Sequence, residues 1–382
     1  MDFTFSSEED AYRQELQRFA TKVLAPHYQS DDKVAKLRSE LVTDMAAMGL
    51  TGLRIPERHG GQEATAVIAG MAAEEVARGD FNAGYLIIVN ALISDILTRN
   101  ATEQQQAAWL PPIASGEALP AFCITEPEHG TDAAKLETKA EPDGSGGWRL
   151  SGEKTSITLG MAAHSALVLA RTGGPGARGV SAFYVDLDKR YVSRSAFDDL
   201  GSRAIGRASL HFDGLPVSRE QLVGAEGEGF VSVMQGFDYS RAIIGLACLG
   251  AAAASLDEAV QWARDRETFG SPIGTFQGVA FPLAEYTTYL KGARHVCYEA
   301  LWRKDNDLEH SSEAAMAKFW APKLATEAIH QCLLTFGHLG YSSESPVGQR
   351  LRDVIGLEIG DGTAQVSKLV IARNLLGRNY AP

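Results

Sequence analysis

Asp361 stands next to Gly362, and a carboxylate beside a residue with free backbone geometry can act as a general base where the chain comes close to a substrate. Asp-Gly is also a common turn or helix N-cap, so the pair alone does not decide. Arg266 offers a planar fork of donors that matches a pyrophosphate. It opens Arg266-Glu267-Thr268-Phe269-Gly270, whose plainer reading is a helix C-cap that buries Phe269. Asp238 and Arg241 sit three apart, the spacing of an ordinary ion pair on a helix surface. The nine histidines are scattered without an H-E-x-x-H pair, and His330 and His338 suit packing better than metal ligation, so no metal is expected. P-loop, Rossmann and G-x-S-x-G signatures are missing, and Gly224, Gly227 and Gly229 read as a flexible strand-to-helix turn.

Composition narrows the partners. Across 382 residues Asp and Glu number 48 against 36 Lys and Arg, a formal charge of −12. So acidic a chain is poorly suited to a phosphate backbone, and nucleic acid is not expected as its partner. Hydrophobic residues make up 45 %, enough for a large core. Cys123, Cys248, Cys297 and Cys332 are far apart with no C-x-x-C pair, which argues against structural zinc and a disulfide framework and fits a reducing, cytoplasmic setting. The acidic first ten residues lack a signal-peptide pattern. The most apolar stretch, 242–254, falls well short of the ~20 residues that span a bilayer, so no membrane association is expected.

The elements that must position these groups change twice along the chain. Ser6-Ser7-Glu8-Glu9 can cap a helix whose apolar face holds Tyr12, Leu16, Phe19 and Val23. Further helical patterns cover 33–48, 64–78 and 81–98, and the texture changes at Pro111-Pro112. From about 119 to 223, short alternating runs are separated by Asp143-Gly144-Ser145-Gly146-Gly147, Gly173-Gly174-Pro175-Gly176 and Asp213-Gly214-Leu215-Pro216, the pattern of a small antiparallel β domain. Longer helices follow over 230–267, 277–304 and 312–339, with a short one after Gly362. The expected fold is mainly α with a central β domain: a helical domain at 1–117, an antiparallel β-barrel or sandwich at 118–226, and a four-helix bundle at 227–382. Alternating βα units are missing, so a doubly wound sheet is disfavoured.

Three segments carry a resemblance. Cys123-Ile124-Thr125-Glu126-Pro127-Glu128-His129-Gly130-Thr131-Asp132 resembles the C-V-T-E-P-x-x-G-S-D segment of acyl-CoA dehydrogenases. Arg266-Glu267-Thr268-Phe269-Gly270 with Phe276-Gln277 resembles their R-x-T-F-G…x-Q segment. Phe336-Gly337-His338-Leu339-Gly340-Tyr341, Arg352-Asp353 and Asp361-Gly362-Thr363-Ala364-Gln365 resemble their closing G-G-x-G-[FY]…R-D…E-G-T-x-Q stretch. The matches occur in family order and at family spacing, over essentially the whole chain.

The resemblance implies FAD as cofactor, an acyl-CoA substrate, an electron-transfer flavoprotein as acceptor and a homotetramer. It places Phe122, Ile124 and Thr125 along the flavin edge, and Ile157 and Thr158 on the strand passing beside it. Arg266, Thr268, Phe269, Gln277, Gly337, Thr363 and Gln365 complete the cofactor set, with Arg266 reaching across a subunit interface. Thr131, Phe237, Asp238, Arg241, Gly360 and Gly362 fall to the substrate side. Asp361 becomes the base that takes the α-proton while flavin N5 accepts hydride from Cβ, and Gly362 allows a tight backbone approach. The base's own N–H and a ribityl hydroxyl would stabilise the enolate-like oxygen.

Departures from the family pattern are informative. Most members carry Glu where this chain has Asp361, shorter by about 1.5 Å. Gly360 replaces a bulky residue, Ser156 a Trp, His129 a small residue and Leu334 a Gln. Gly360 and Ser156 both remove bulk from the expected cavity, which implies an acyl group wide near Cα and Cβ. An Asp base occurs in cyclohexanecarboxyl-CoA dehydrogenases and nitroalkane oxidases, and the retained CoA-type residues favour the first. The alternatives are a branched or short-chain acyl-CoA, an acyl-carrier-protein thioester, a nitroalkane-oxidase-like enzyme, and a non-catalytic, DNA-associated member of the family.

Overall fold

The structure is a computed structural model that describes residues 4–381. Met1, Asp2 and Phe3, part of the acidic N-terminus, lie outside the described residues. Helix α1 (Ser7–Phe19) begins at the expected capping box, in which Ser6 Oγ accepts from the Glu9 amide and Glu9 Oε2 accepts from the Ser6 amide. Leu16 and Phe19 are buried, whereas Val23 falls in a π-helical segment, Ala20–Leu24, before α2 (Ala25–Val34). The expected helix over 33–48 is broken, because Ala35 takes φ +53° and ends α2 before α3 (Ser39–Ala47) starts. Helices α4 (Ala66–Gly79) and α5 (Phe81–Asn100) follow the expected pattern.

Helix α6 (Glu103–Ala114) is not signalled by the proline pair. A Thr102–Gln105 capping box starts it, and Pro111 and Pro112 lie near its end, where they forgo two amide donors without stopping it.

The β strands are β1 (Pro120–Cys123), β2 (Lys139–Pro142), β3 (Trp148–Ile157), β4 (Ser165–Arg171), β5 (Val180–Asp186), β6 (Val192–Ala196), β7 (Ala208–Val217) and β8 (Leu222–Val223). They form one sheet in the order β6-β7-β3-β2-β4-β5-β8, with β1 on β4. Pairing is antiparallel except for β1–β4 and β2–β4, a departure from a wholly antiparallel domain. Strand β1 can pair in parallel because the β2–β3 excursion supplies the long crossover. Asp213-Gly214-Leu215-Pro216 is not a hairpin turn; it lies within β7, at the register shift opposite Leu150 and Gly152.

The C-terminal part packs α7 (Gly229–Asp265), α8 (Gln277–Asp305), α9 (Ser311–Phe336) and α12 (Ala364–Leu376) together. A small hairpin, β9 (Glu267–Thr268) and β10 (Ser271–Pro272), follows α7. The short α10 (His338–Tyr341) precedes α11 (Val347–Ile359), a helix the sequence pattern does not announce. Helices α5 and α7 are each long and apolar enough to cross a membrane, which corrects the shorter apolar run read from sequence. Their apolar windows are 89 % and 78 % buried against other helices, as core helices are.

Candidate functional site

Strand β1 ends against the sheet and hands the chain to Ile124 and Thr125 at the wall of a cleft of about 520 Å³. Buried Lys154 on β3 fixes that exit, donating to Ile124 O at 3.1 Å and Glu126 Oε1 at 2.8 Å. Burial pushes the Glu126 carboxyl up, but Lys154 and the amides of Glu137 and Thr138 outweigh it and hold it below its usual range. The Thr155 amide donates to Thr125 O at 2.9 Å, tying β3 to the same segment. Ser156 and Thr158 line the cleft, whereas Ile157 points into the core at 2 % exposure. Thr131 lines the cleft; His129 instead faces Glu137 Oε1, 3.6 Å away.

The start of α7 supplies the next wall. Phe237 and Arg241 line the cleft, and Phe122 packs edge-on against Phe237 with ring centroids 5.5 Å apart. Asp238 turns away from the cleft to bridge helices, accepting from Arg241 Nη1 at 2.7 Å and from Ser311 Oγ on α9 at 2.5 Å. Arg241 Nε is buried and has no hydrogen-bond partner among the described residues.

Asp361 also lines the cleft, in the turn from α11 to α12. It holds φ +54°, Gly362 holds φ +97°, and Thr363 caps α12 through the Val366 amide. Gly360, Asp361, Gly362 and Thr363 all line the cleft. The Gly362 requirement comes from its positive φ, since the nearest atoms to an added Cβ would be 3.9 Å away; the expected crowding is not there. Burial pushes the Asp361 carboxyl up, and the Lys318 and Arg241 cations oppose that shift.

Arg266, Thr268, Phe269, Gln277 and Gly337 are not brought to this cleft, and Gln365 is exposed on the first turn of α12. Arg266, just past the end of the 37-residue α7, lies 25 residues along the helix axis from Arg241, about 37 Å away. The Arg266 guanidinium lies 5.9 Å from the Trp262 ring centroid. Phe269 is 93 % exposed with φ +51°, edge-on to Phe276, which rules out a C-cap that buries it.

Sequence reasoning missed Tyr85, Ser202, Met234 and Asp353 as lining residues. Arg352-Asp353 reads in the sequence only as a marker of register. In the fold Arg352 Nη1 donates to Leu200 O at 2.7 Å, and Asp353 Oδ1 accepts from the Ser202 amide at 2.5 Å. Gly201 is required between them, because a Cβ there would sit 2.2 Å from Arg352 O.

Three family models match: the acyl-CoA dehydrogenase N-terminal domain at residues 6–117, the middle domain at 121–215 and the C-terminal domain at 227–376. The chain belongs to the acyl-CoA dehydrogenase family. It is 34 % identical to a probable acyl-CoA dehydrogenase, YngJ, of Bacillus subtilis, over 98 % of this chain and 100 % of that protein. The mitochondrial short-chain specific acyl-CoA dehydrogenase of Bos taurus is also 34 % identical, over 95 % of this chain and 89 % of its own. Among solved structures, butyryl-CoA dehydrogenase from Megasphaera elsdenii superposes with TM-score 0.95 and 30 % identity, covering 98 % of this chain and 100 % of that one.

This acyl-CoA dehydrogenase is therefore a flavin-dependent oxidoreductase acting on acyl-CoA, with the helical, β and helical plan expected. FAD is its cofactor, and the donor set fits a flavin. Thr125 and Thr158 offer hydroxyls on one wall, and the carboxylate of Asp361 faces the same space from another.

Proposed function

We propose that this acyl-CoA dehydrogenase removes hydrogen from Cα and Cβ of an alicyclic acyl thioester, converting cyclohexane-1-carboxyl-CoA to cyclohex-1-ene-1-carboxyl-CoA. The observation that carries the reading is the wall around Asp361. Gly360 holds φ −62° with its nearest neighbours at 3.4 and 3.7 Å, so an ordinary side chain would fit there, and none is present. Ser156, with its small side chain, lines the same cleft. A ring is wider than a straight chain at Cα and Cβ, and Gly360 and Ser156, both small, lie on the lining of this cleft.

Asp361 takes the α-proton, and Cβ gives up its hydrogen with the bonding pair as hydride. The flavin, when bound, supplies the hydride acceptor. Ile124, Thr125 and Thr158 hold the flavin edge, while Thr131, Phe237, Arg241 and Gly362 serve the thioester side and Asp238 holds the Arg241 guanidinium. Among the described residues no carbonyl accepts the Asp361 N–H, which leaves that donor for the thioester oxygen as enolate charge develops. Asp361 is shorter than Glu, so the reacting carbon must sit closer to the α11–α12 turn.

Arg266, Thr268, Phe269, Gln277 and Gly337 serve the cofactor of a second copy of the chain, since Arg266 lies about 37 Å along α7 from Arg241 in the cleft of its own chain. That arrangement requires an oligomer, and a homotetramer is the reading. Electrons pass on to an electron-transfer flavoprotein, and four buried, unbridged thiols are consistent with a cytoplasmic enzyme.

Anaerobic addition of cyclohexanecarboxyl-CoA, a branched short-chain acyl-CoA, butyryl-CoA and nitroethane, with the flavin absorbance followed, tests this. Bleaching by the cyclic thioester first is expected. Faster bleaching by butyryl-CoA would overturn the alicyclic reading but keep the reaction, and bleaching by nitroethane alone would move the enzyme to the oxidase type.

A further inference from the structure

We propose that Lys318, on α9, is the positioning residue for the Asp361 carboxylate, clamping the turn that carries it and keeping an unshared positive charge behind it. The proposal rests on Asp361 being the α-proton base.

Lys318 is 1 % exposed. Its Nζ donates to Leu357 O at 2.8 Å and to Gly362 O at 2.9 Å. Those two carbonyls bracket residues 358–361, so one ammonium ties both ends of the segment that presents Asp361. The segment needs tying. Asp361 is not glycine and holds φ +54°, a conformation that persists only where its surroundings dictate it. Glu358 in the same segment accepts from Thr326 Oγ1 at 2.7 Å, so α9 grips the turn at three points.

The charge matters as well as the hydrogen bonds. A buried ammonium is costly without a compensating anion. Among the described residues no carboxylate lies within ion-pairing distance of Lys318. Burial lowers the Lys318 ammonium, and Asp361 is the strongest of the groups that raise it again. The remaining charged or titratable groups facing the pair are Arg241 and Cys248 from α7, Glu358 from α11 and Tyr85 from α5. On α12, Lys368 lies over the Phe319 ring instead, 5.4 Å from its centroid. Lys318 thus favours an ionised Asp361 without occupying its oxygens, which a direct salt bridge would do. A base held in this way stays ready to accept a proton.

The test compares wild-type holoenzyme with Lys318→Met and Lys318→Arg. Flavin content and visible spectrum are recorded first, then the limiting rate of anaerobic flavin reduction by an acyl-CoA across pH. Reduction of the wild-type flavin establishes the underlying reaction; its failure with every thioester would defeat that reading before Lys318 is addressed. Given a reactive wild type, the Met variant should keep its flavin and bind a non-reactive thioester within a few fold. Its limiting rate should fall by about ten- to a hundredfold, and its acid limb should move to higher pH. The direction follows because removing the cation leaves only Arg241 to oppose the burial that raises Asp361. The Arg variant keeps a cation, so its acid limb should stay near the wild-type position even where its rate drops. A Met variant with wild-type rate and pH profile would overturn the proposal. So would an Arg variant whose acid limb moves upward, which also decides the matter if the Met variant does not fold.

Discussion

The Tyr28 hydroxyl donates to Asp353 Oδ2 at 2.5 Å, joining α2 to α11 across 325 residues of sequence. The other Asp353 oxygen accepts from the Ser202 amide, so one buried carboxylate holds the N-terminal helices, the β-domain loop and the C-terminal helices around the cleft. Arg352 supports the junction from the neighbouring position, donating to Asp32 Oδ2 at 2.9 Å.

That carboxylate makes stability depend on pH. Burial pushes Asp353 from its ordinary 3.8 up to about 7, with the Ser202 amide and the Tyr28 hydroxyl opposing. Between these values the folded state holds the proton and the unfolded state does not, so the contribution of Asp353 is largest at low pH and is lost as pH rises through about 7. Asp353→Asn has no such proton. The difference in melting temperature, wild type minus variant, should widen by about 2 °C or more from pH 8 to pH 6. A constant difference would show that Asp353 does not titrate in this range.

Lys154→Met should separate flavin retention from catalysis. The substitution leaves Glu126 buried at 5 % exposure without its cation and frees Ile124 O. Breaking a buried pair from one side costs about 3–5 kcal/mol. Urea unfolding should show that loss, together with a lowered flavin content per chain. Glu126→Gln with Lys154→Met should recover part of the stability, because neither charge then remains.

Gly360→Tyr fills the widened wall without backbone strain, given the ordinary φ at that position. The variant should fold with wild-type stability. Its kcat/KM for the cyclic thioester should fall by at least about tenfold, a loss of 1.4 kcal/mol or more in transition-state binding. Butyryl-CoA should be affected far less, and equal losses for both substrates would argue against the wide-substrate reading.

Arg266→Gln and Asp361→Asn should complement one another. Each variant alone should be inactive or nearly so. After the two are mixed through dissociation and reassembly, a hybrid site can join Asp361 of one chain to the Arg266 of another. With equal amounts and complete random exchange, about a quarter of the sites should regain activity if Arg266 serves a second copy, and fewer where exchange is incomplete. No recovery in verified hybrids would place Arg266 outside the cofactor site.

Much of this was legible in the sequence, for reasons that can be named. The capping signal Ser6–Glu9 acts over four residues, and the helix it starts is where the pattern put it. Ile124, Thr125, Phe237, Arg241 and the Gly360–Thr363 turn, all singled out in the sequence, line one cleft. What stayed hidden depends on long-range contact. Asp353 reads as an ordinary helix acid until Tyr28 and Ser202 arrive from distant parts of the chain. Lys318 carries no motif, and its meaning appears only when Leu357 and Gly362 present their carbonyls. Helix α6 was masked by Pro111 and Pro112, because a proline near a helix end costs little while its sequence signal is strong. The sequence pattern also gives no sign that one continuous helix sets Arg266 about 37 Å from Arg241.

The most direct test of the account is the pre-steady-state rate of anaerobic flavin reduction by an acyl-CoA substrate in wild type and in Asp361→Asn. The account predicts that the variant retains its flavin and binds thioester, while its reduction rate falls by at least about 10²–10⁴-fold. Reduction of the Asp361→Asn flavin at the wild-type rate would contradict it, since the α-proton would then be leaving to another base.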